Sequence, residues 1–208
     1  ADREALDQLA LIASDPEAEQ MARIHSIWAI GIIDRRARSA DEEQTGPRTV
    51  ASLQSLVWDD DPEVRAQAIR VLGDAEYAPA TEDIQAMLFD EMPRVIFEAA
   101  IALGKIGDPE SLDGIVEMIS MNDDEDPWLR HAGVMGLSMI DDRPRLLELL
   151  ADPQSQVRLA AVLSLRKLHD PAVAILLRDR DRGSNLLETG SLLRDRDRGS
   201  SRVLETGF

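Results

Sequence analysis

One apolar stripe recurs along this chain, and it constrains the fold more than any other feature. Asp61-Pro62-Glu63-Val64-Arg65 is followed by Ala68 and by Val71-Leu72-Gly73. Met92-Pro93-Arg94-Val95 is followed by Ala99 and Ala102-Leu103-Gly104, and Asp126-Pro127-Trp128-Leu129-Arg130 by Gly133 and Gly136-Leu137-Ser138. Val157-Arg158, with Asp152-Pro153 upstream, leads to Ala161 and Ser164-Leu165-Arg166; Ala22-Arg23 leads to Ser26 and Ala29-Ile30-Gly31. The spacing i, i+4, i+7, i+8, i+11 covers one face of a helix with 3.6 residues per turn. Small residues at i+4 and i+7 let neighbouring helices approach closely.

The punctuation agrees. Asp-Pro supplies an N-cap and a first-turn proline, which gives up only a donor the helix start does not use. Gly73 and Gly107 are expected to end helices in the left-handed conformation. Between the striped helices lie shorter apolar segments, Leu6 to Ile12, Val50 to Val57, Ile84 to Leu88, Leu112 to Ile119 and Leu146 to Leu150. Each is expected to be the first helix of a pair. The position of Gly31 recurs after 42, 31, 34 and 28 residues. A period of about 30 to 45 residues is that of a helix-pair solenoid. The long first interval contains Asp34 to Gly46, read as a charged loop inserted between repeats. The expected architecture is all-α: a right-handed solenoid of about five helix pairs.

Composition fits and narrows the chemistry. Apolar residues make up 44% of the 208 but aromatics only 3%, so aliphatic side chains must fill the core. Lys and Arg total 23 against 40 Asp and Glu, a net charge of −17. Such a chain repels a phosphate backbone, which argues against nucleic acid and for basic partners, cations or simple solubility. With no cysteine, neither disulfides nor thiolate metal sites can form. No apolar run is long enough to suggest a membrane span. The start at Ala1, without Met or a signal segment, is taken as the mark of a piece of a longer chain.

Asp-Pro-x-Val-Arg-x-x-Ala-x-x-x-Leu-Gly resembles the HEAT-like repeat consensus, over an array spanning residues 1–177. Its repeats are set at 5–33, 48–74, 81–107, 110–141 and 144–169. Such arrays serve many unrelated complexes, so the resemblance speaks for fold more than function. Three stretches, 23–29, 71–80 and 126–135, resemble the HEAT segment of PVC-type membrane-bound dehydrogenases, large bacterial haem-binding proteins. That likeness implies a scaffold holding neighbouring domains, in an exported or periplasmic setting; without it a cytoplasmic setting is expected. No Cys-x-x-Cys-His is present, so the family's haem chemistry maps onto no residue and no cofactor is expected. The alternatives are an accessory of the HEAT-like phycobilin lyase type, a stand-alone regulatory binding module and a DNA-lesion-binding repeat protein. The last requires a basic concave face.

Residues 178–208 read as a charged tail. Leu176-Leu177-Arg178-Asp179-Arg180-Asp181-Arg182-Gly183-Ser184 recurs from Leu192, and Leu187-Glu188-Thr189-Gly190 recurs from Leu204. From 176 onward 7 Arg face 6 acids, which leaves the body at −18. Asp179-x-Asp181-x-Gly183 fails as a calcium loop, because Gly183 and Gly190 stand where ligands are needed. The tail is not a further helix pair, so the array is expected to end on an apolar surface near Leu163 and Leu168.

Two residue sets are candidates. Asp61 with Arg65, Asp126 with Arg130 and Asp152 with Arg158, joined by Arg23, are expected to form a structural ladder at the inter-repeat turns, broken where Ile96 replaces Arg. Off the core stripe, Ile24, Ala66, Phe97, His131 and Leu159 form one column across the second helices, and Trp28, Arg70, Ile101, Met135 and Leu163 the next. Trp28, Arg70, Phe97, Ile101, His131 and Met135 are taken as partner-binding residues on the concave face. Packing between second helices explains the columns equally well. His25, His131 and His169 have no ligand spacing, and Asp123 to Asp126 reads as a solvated acidic loop, so no metal site is expected. No catalytic motif is visible, and the partner is expected to be protein.

Overall fold

A computed structural model describes residues 3–39 and 49–174. Among these the chain is helical and has no strand. Helices α1 (Arg3–Ser14) and α2 (Gln20–Ser39) form the first pair. A 3₁₀ helix, Thr49–Trp58, precedes α3 (Pro62–Asp74). Then come α4 (Thr81–Ala86), flanked by 3₁₀ turns Ala78–Ala80 and Met87–Phe89, and α5 (Pro93–Ile106). The 3₁₀ turn Pro109–Ser111 runs into α6 (Leu112–Asn122), followed by α7 (Pro127–Ile140), α8 (Arg143–Leu149) and α9 (Ser155–Lys167). The second helices α2, α3, α5, α7 and α9 stack each on the next, and the first elements stack beside them. The molecule is an α-solenoid.

Asp-Pro starts α3 and α7 by the expected mechanism, whereas α9 begins beyond Asp152-Pro153 with Gln154 at the cap position making no side-chain capping bond. Asp61 Oδ1 accepts the amides of Glu63 (2.8 Å) and Val64 (3.4 Å), and Asp126 Oδ1 those of Trp128 (2.7 Å) and Leu129 (3.4 Å). The stripe lies inward: Val64, Val95, Leu129 and Val157 are all buried, as are Leu72, Leu103, Leu137 and Leu165. The small residues do let backbones meet. A methyl group on Gly104 would stand 2.7 Å from Gly136 Cα, and one on Gly136 would stand 2.6 Å from the Ala100 carbonyl.

Three local expectations need correction. Gly73 ends nothing: it lies inside α3, where an added methyl would come within 2.6 Å of Ala102 Cα. Glu76, at φ 50°, makes the left-handed turn instead, and Tyr77 N reaches back to Leu72 O. Gly107 does terminate α5, at φ 76°. Of Asp34 to Gly46, read as a loop, residues 34–39 are helical and residues 40–46 lie outside the described residues. α2 continues to Ser39, and Asp34 is fully buried, accepting from Arg38 Nε one turn later. Its charge pattern reads as loop because the pairing is within the helix. The first element of the second pair is 3₁₀ rather than α. The duplicated tail and its calcium-like motif lie outside the described residues.

Candidate functional site

The motif arginines work at the turns that join first to second helices. Arg23, buried, donates from Nε to the Ala13 carbonyl (3.0 Å) and pairs with Asp59 of the following repeat. Arg65 donates to the carbonyls of Asp59 (2.7 Å) and Asp60 (3.2 Å) and pairs with Asp90 of the next repeat (3.0 Å). Beyond Ile96 the pattern changes. Arg130 pairs with Asp124 just before its own helix, and Arg158 donates to the carbonyls of Asp152 (2.7 Å) and Pro153 (2.8 Å). The carboxylates that receive arginines are therefore Asp59, Asp90 and Asp124, which sequence reasoning missed. Asp61 and Asp126 serve as caps, and Asp152 caps the amide of Gln154.

The six residues assigned to the partner-binding face divide. Trp28 is 40% exposed and donates from Nε1 to Gln67 Oε1 (2.8 Å), while Gln67 donates to Glu63 (2.7 Å). Its ring also meets His25, with centroids 5.4 Å apart. Phe97 and Ile101 are half-buried against the core, as Leu163 is; of the flanking columns, Ile24 and Ala66 are fully absorbed between helices. Arg70 and His131 are exposed, and Met135 is half-buried.

Three cavities open between consecutive second helices, and five of the six residues line them. Between α2 and α3 a cavity of about 310 Å³ is lined by Trp28, Ile32, Arg35, Arg70 and Val71. Between α5 and α7, about 410 Å³ is lined by Arg94, Phe97, Asp126, Trp128 and Leu129. Between α7 and α9, about 600 Å³ is lined by His131, Met135, Leu163, Arg166, Lys167 and His169. Ile101 lines none of these three. Trp128, 71% exposed on the first turn of α7, went unnoticed because it stands at a cap-adjacent motif position.

Charge on the second helices does not follow the molecule, although four of their cations, Arg23, Arg65, Arg130 and Arg158, are bound at the turns. The second helices carry 12 basic and 4 acidic residues, a net of +8. Among the described residues, the turns joining helices carry 18 acids and neither Lys nor Arg. The second-helix acids are largely engaged: Lys105 holds Asp74, Arg38 holds Asp34, and Arg94 lies 3.4 Å from Glu98. Burial pushes the Glu98 carboxyl above its ordinary range, against the opposing charges of Arg94, Arg70 and Lys105. Net charge therefore does not describe the second helices, whose cations outnumber their acids. Among the described residues no group of three His, Asp or Glu side chains is placed to hold a metal ion, and no helix is long and apolar enough to cross a membrane.

Comparison with known proteins agrees on fold. No curated protein sequence matches the chain. Solved structures do. The complex of CpcE and CpcF of phycocyanin lyase from a Nostoc species matches with a TM-score of 0.57 at 16% identity, covering 83% of this chain and 69% of that one. A designed armadillo repeat protein in complex with the peptide (KR)4 matches at 0.51 and 16% identity, over 89% and 96% of the two chains. An engineered protein matches at 0.51 and 19% identity, over 77% of each. At such identities the likeness is one of fold. The sequence itself matches the HEAT-repeat family over residues 49–138 and 119–185, more than half of the chain, and the chain belongs to that family.

Proposed function

We propose that this chain is a non-catalytic scaffold that binds a polypeptide segment on the face formed by its second helices. The supporting observation is the row of cavities between consecutive second helices, each with an aromatic or sulfur-containing side chain beside at least one cationic one. Aromatic and Arg side chains at the mouth of a partly desolvated cavity are the usual anchors of protein interfaces. The peptide-bound armadillo design has a similar fold. Placement within a larger dehydrogenase-like haem protein rests on the residues of 23–29, 71–80 and 126–135 alone.

Peptide display against the full chain tests the reading. Selected peptides should bind the unaltered protein and lose affinity for a Trp128→Ala, His131→Ala variant, whose altered side chains are exposed and leave the core intact. Peptides that bind the variant equally well place the interface elsewhere and end the proposal.

The likeness to a phycocyanin lyase complex supports a second reading, an accessory that handles a bilin. Titration with a linear tetrapyrrole such as biliverdin separates the two. The scaffold reading expects an unchanged absorption spectrum; a saturable shift favours the lyase-like role.

A further inference from the structure

The cavity between α7 and α9 is the largest of the three, and its chemistry is one-sided. Five of its lining residues carry or can carry positive charge: Arg130, His131, Arg166, Lys167 and His169. No acid lines it. The remaining lining is apolar, from Pro127, Val134, Met135 and Leu163. Arg130 is already engaged by Asp124, so its charge counts for little. Arg166 and Lys167 are exposed and make no ion pair with a described residue. Cations in the last turn of α9 also suit its helix dipole, but that accounts for neither His131 on α7 nor the apolar floor between the helices.

We propose that this cavity is an anion-recognising docking site that takes an acidic polypeptide segment carrying an apolar side chain. The inference rests on the reading of the second-helix face as a partner-binding surface and adds the chemistry of the partner. Charge complementarity selects the occupant: in a chain of net charge −17, a lining whose Arg166 and Lys167 have no acidic partner among the described residues discriminates for carboxylates. The peptide of the armadillo complex is basic, so this site inverts that preference. A nucleic acid would fit the cations less well. Double-stranded DNA carries a charge about every 1.7 Å, and a strand running past the cavity meets the acidic turn Asp123 to Asp126 that precedes α7. A short carboxylate segment with an apolar anchor meets only the cavity.

The test uses the full chain and fluorescein-labelled probes read by anisotropy. They are a short Glu/Asp/Leu peptide, its Lys/Arg/Leu and Ser/Leu counterparts, and a short single-stranded DNA. The acidic peptide should bind tightest. An Arg166→Glu, Lys167→Glu variant should weaken it about tenfold or more and strengthen the basic peptide. Arg36→Glu, an exposed reversal on α2 that lines none of the three cavities, should change either by less than about twofold. Thermal melts check that the variants fold. Tighter binding of the basic peptide or the DNA overturns the inference, as does equal loss in the Arg36→Glu control. If all peptides bind alike yet depend on Trp128, the scaffold reading stands and this one falls. If none of the probes binds, this inference falls, and the scaffold reading is decided by the display experiment.

Discussion

Asp61 shows how much one carboxylate does in a repeat of this kind. It caps α3 through two amides and accepts a bond from Gln20 Nε2 (2.7 Å) on α2, so one side chain starts a helix and ties two repeats. Burial pushes its carboxyl up, but the bond from Gln20, the amides of Glu63 and Val64 and the charge of Arg23 outweigh it, leaving it below the ordinary 3.8. A lowered folded value means the stability it supplies is present above the unfolded value and is lost as pH falls through the folded one. Asp61→Ala should cost about 1 kcal/mol near neutrality through the lost cap. Asp61→Asn keeps a capping side chain but cannot titrate, so its melting temperature should fall less than the parent's between pH 5 and pH 3. Calorimetry at those two values checks both; an equal acid-side fall for Asp61→Asn would show that this carboxylate does not carry the linkage.

At the scale of elements, the stack is set by how closely helices approach. Gly104 and Gly136 bring α5 and α7 to backbone contact. Gly104→Ala should destabilise by about 1–3 kcal/mol, because its methyl meets backbone that cannot turn away. Gly107→Ala meets nothing within 4 Å, so it should cost only the left-handed strain, about 1 kcal/mol. Urea titrations should rank Gly104→Ala as the worse; the reverse order would mean that termination, not approach, governs the stack. The striped second helices were legible in the sequence because caps, prolines and stripe are all local and agree with one another. Gly73 was misread because a glycine after a stripe looks the same whether it ends a helix or admits Ala102. The arginine partners were missed for another reason. Asp59 lies 36 residues from Arg23 and Asp90 lies 25 from Arg65, and no local spacing encodes which carboxylate a stacked repeat presents. Of the candidate face, the columns were legible as columns. Which members are absorbed and which line cavities depended on the register between helices, which only the packed structure fixes.

At the scale of the molecule, charge among the described residues is sorted by layer: acids at the turns, bases on the second helices. Net charge alone does not reveal this pattern. The crowded acids of the turns repel one another across solvent, a force screened beyond about 10 Å at 0.1 M salt. Raising sodium chloride from about 0.01 to about 0.3 M should therefore raise the melting temperature. A fall would mean that the arginine–carboxylate pairs at the turns outweigh the repulsion. The central claim is that the second helices are the binding surface, and hydrogen exchange of the full chain with and without the acidic peptide tests it most directly. The account expects added protection on Pro127–Ile140 and Ser155–Lys167, with the first-layer helices Thr81–Ala86 and Leu112–Asn122 unchanged. Protection on the first-layer helices instead, or none anywhere at saturating peptide, would contradict it.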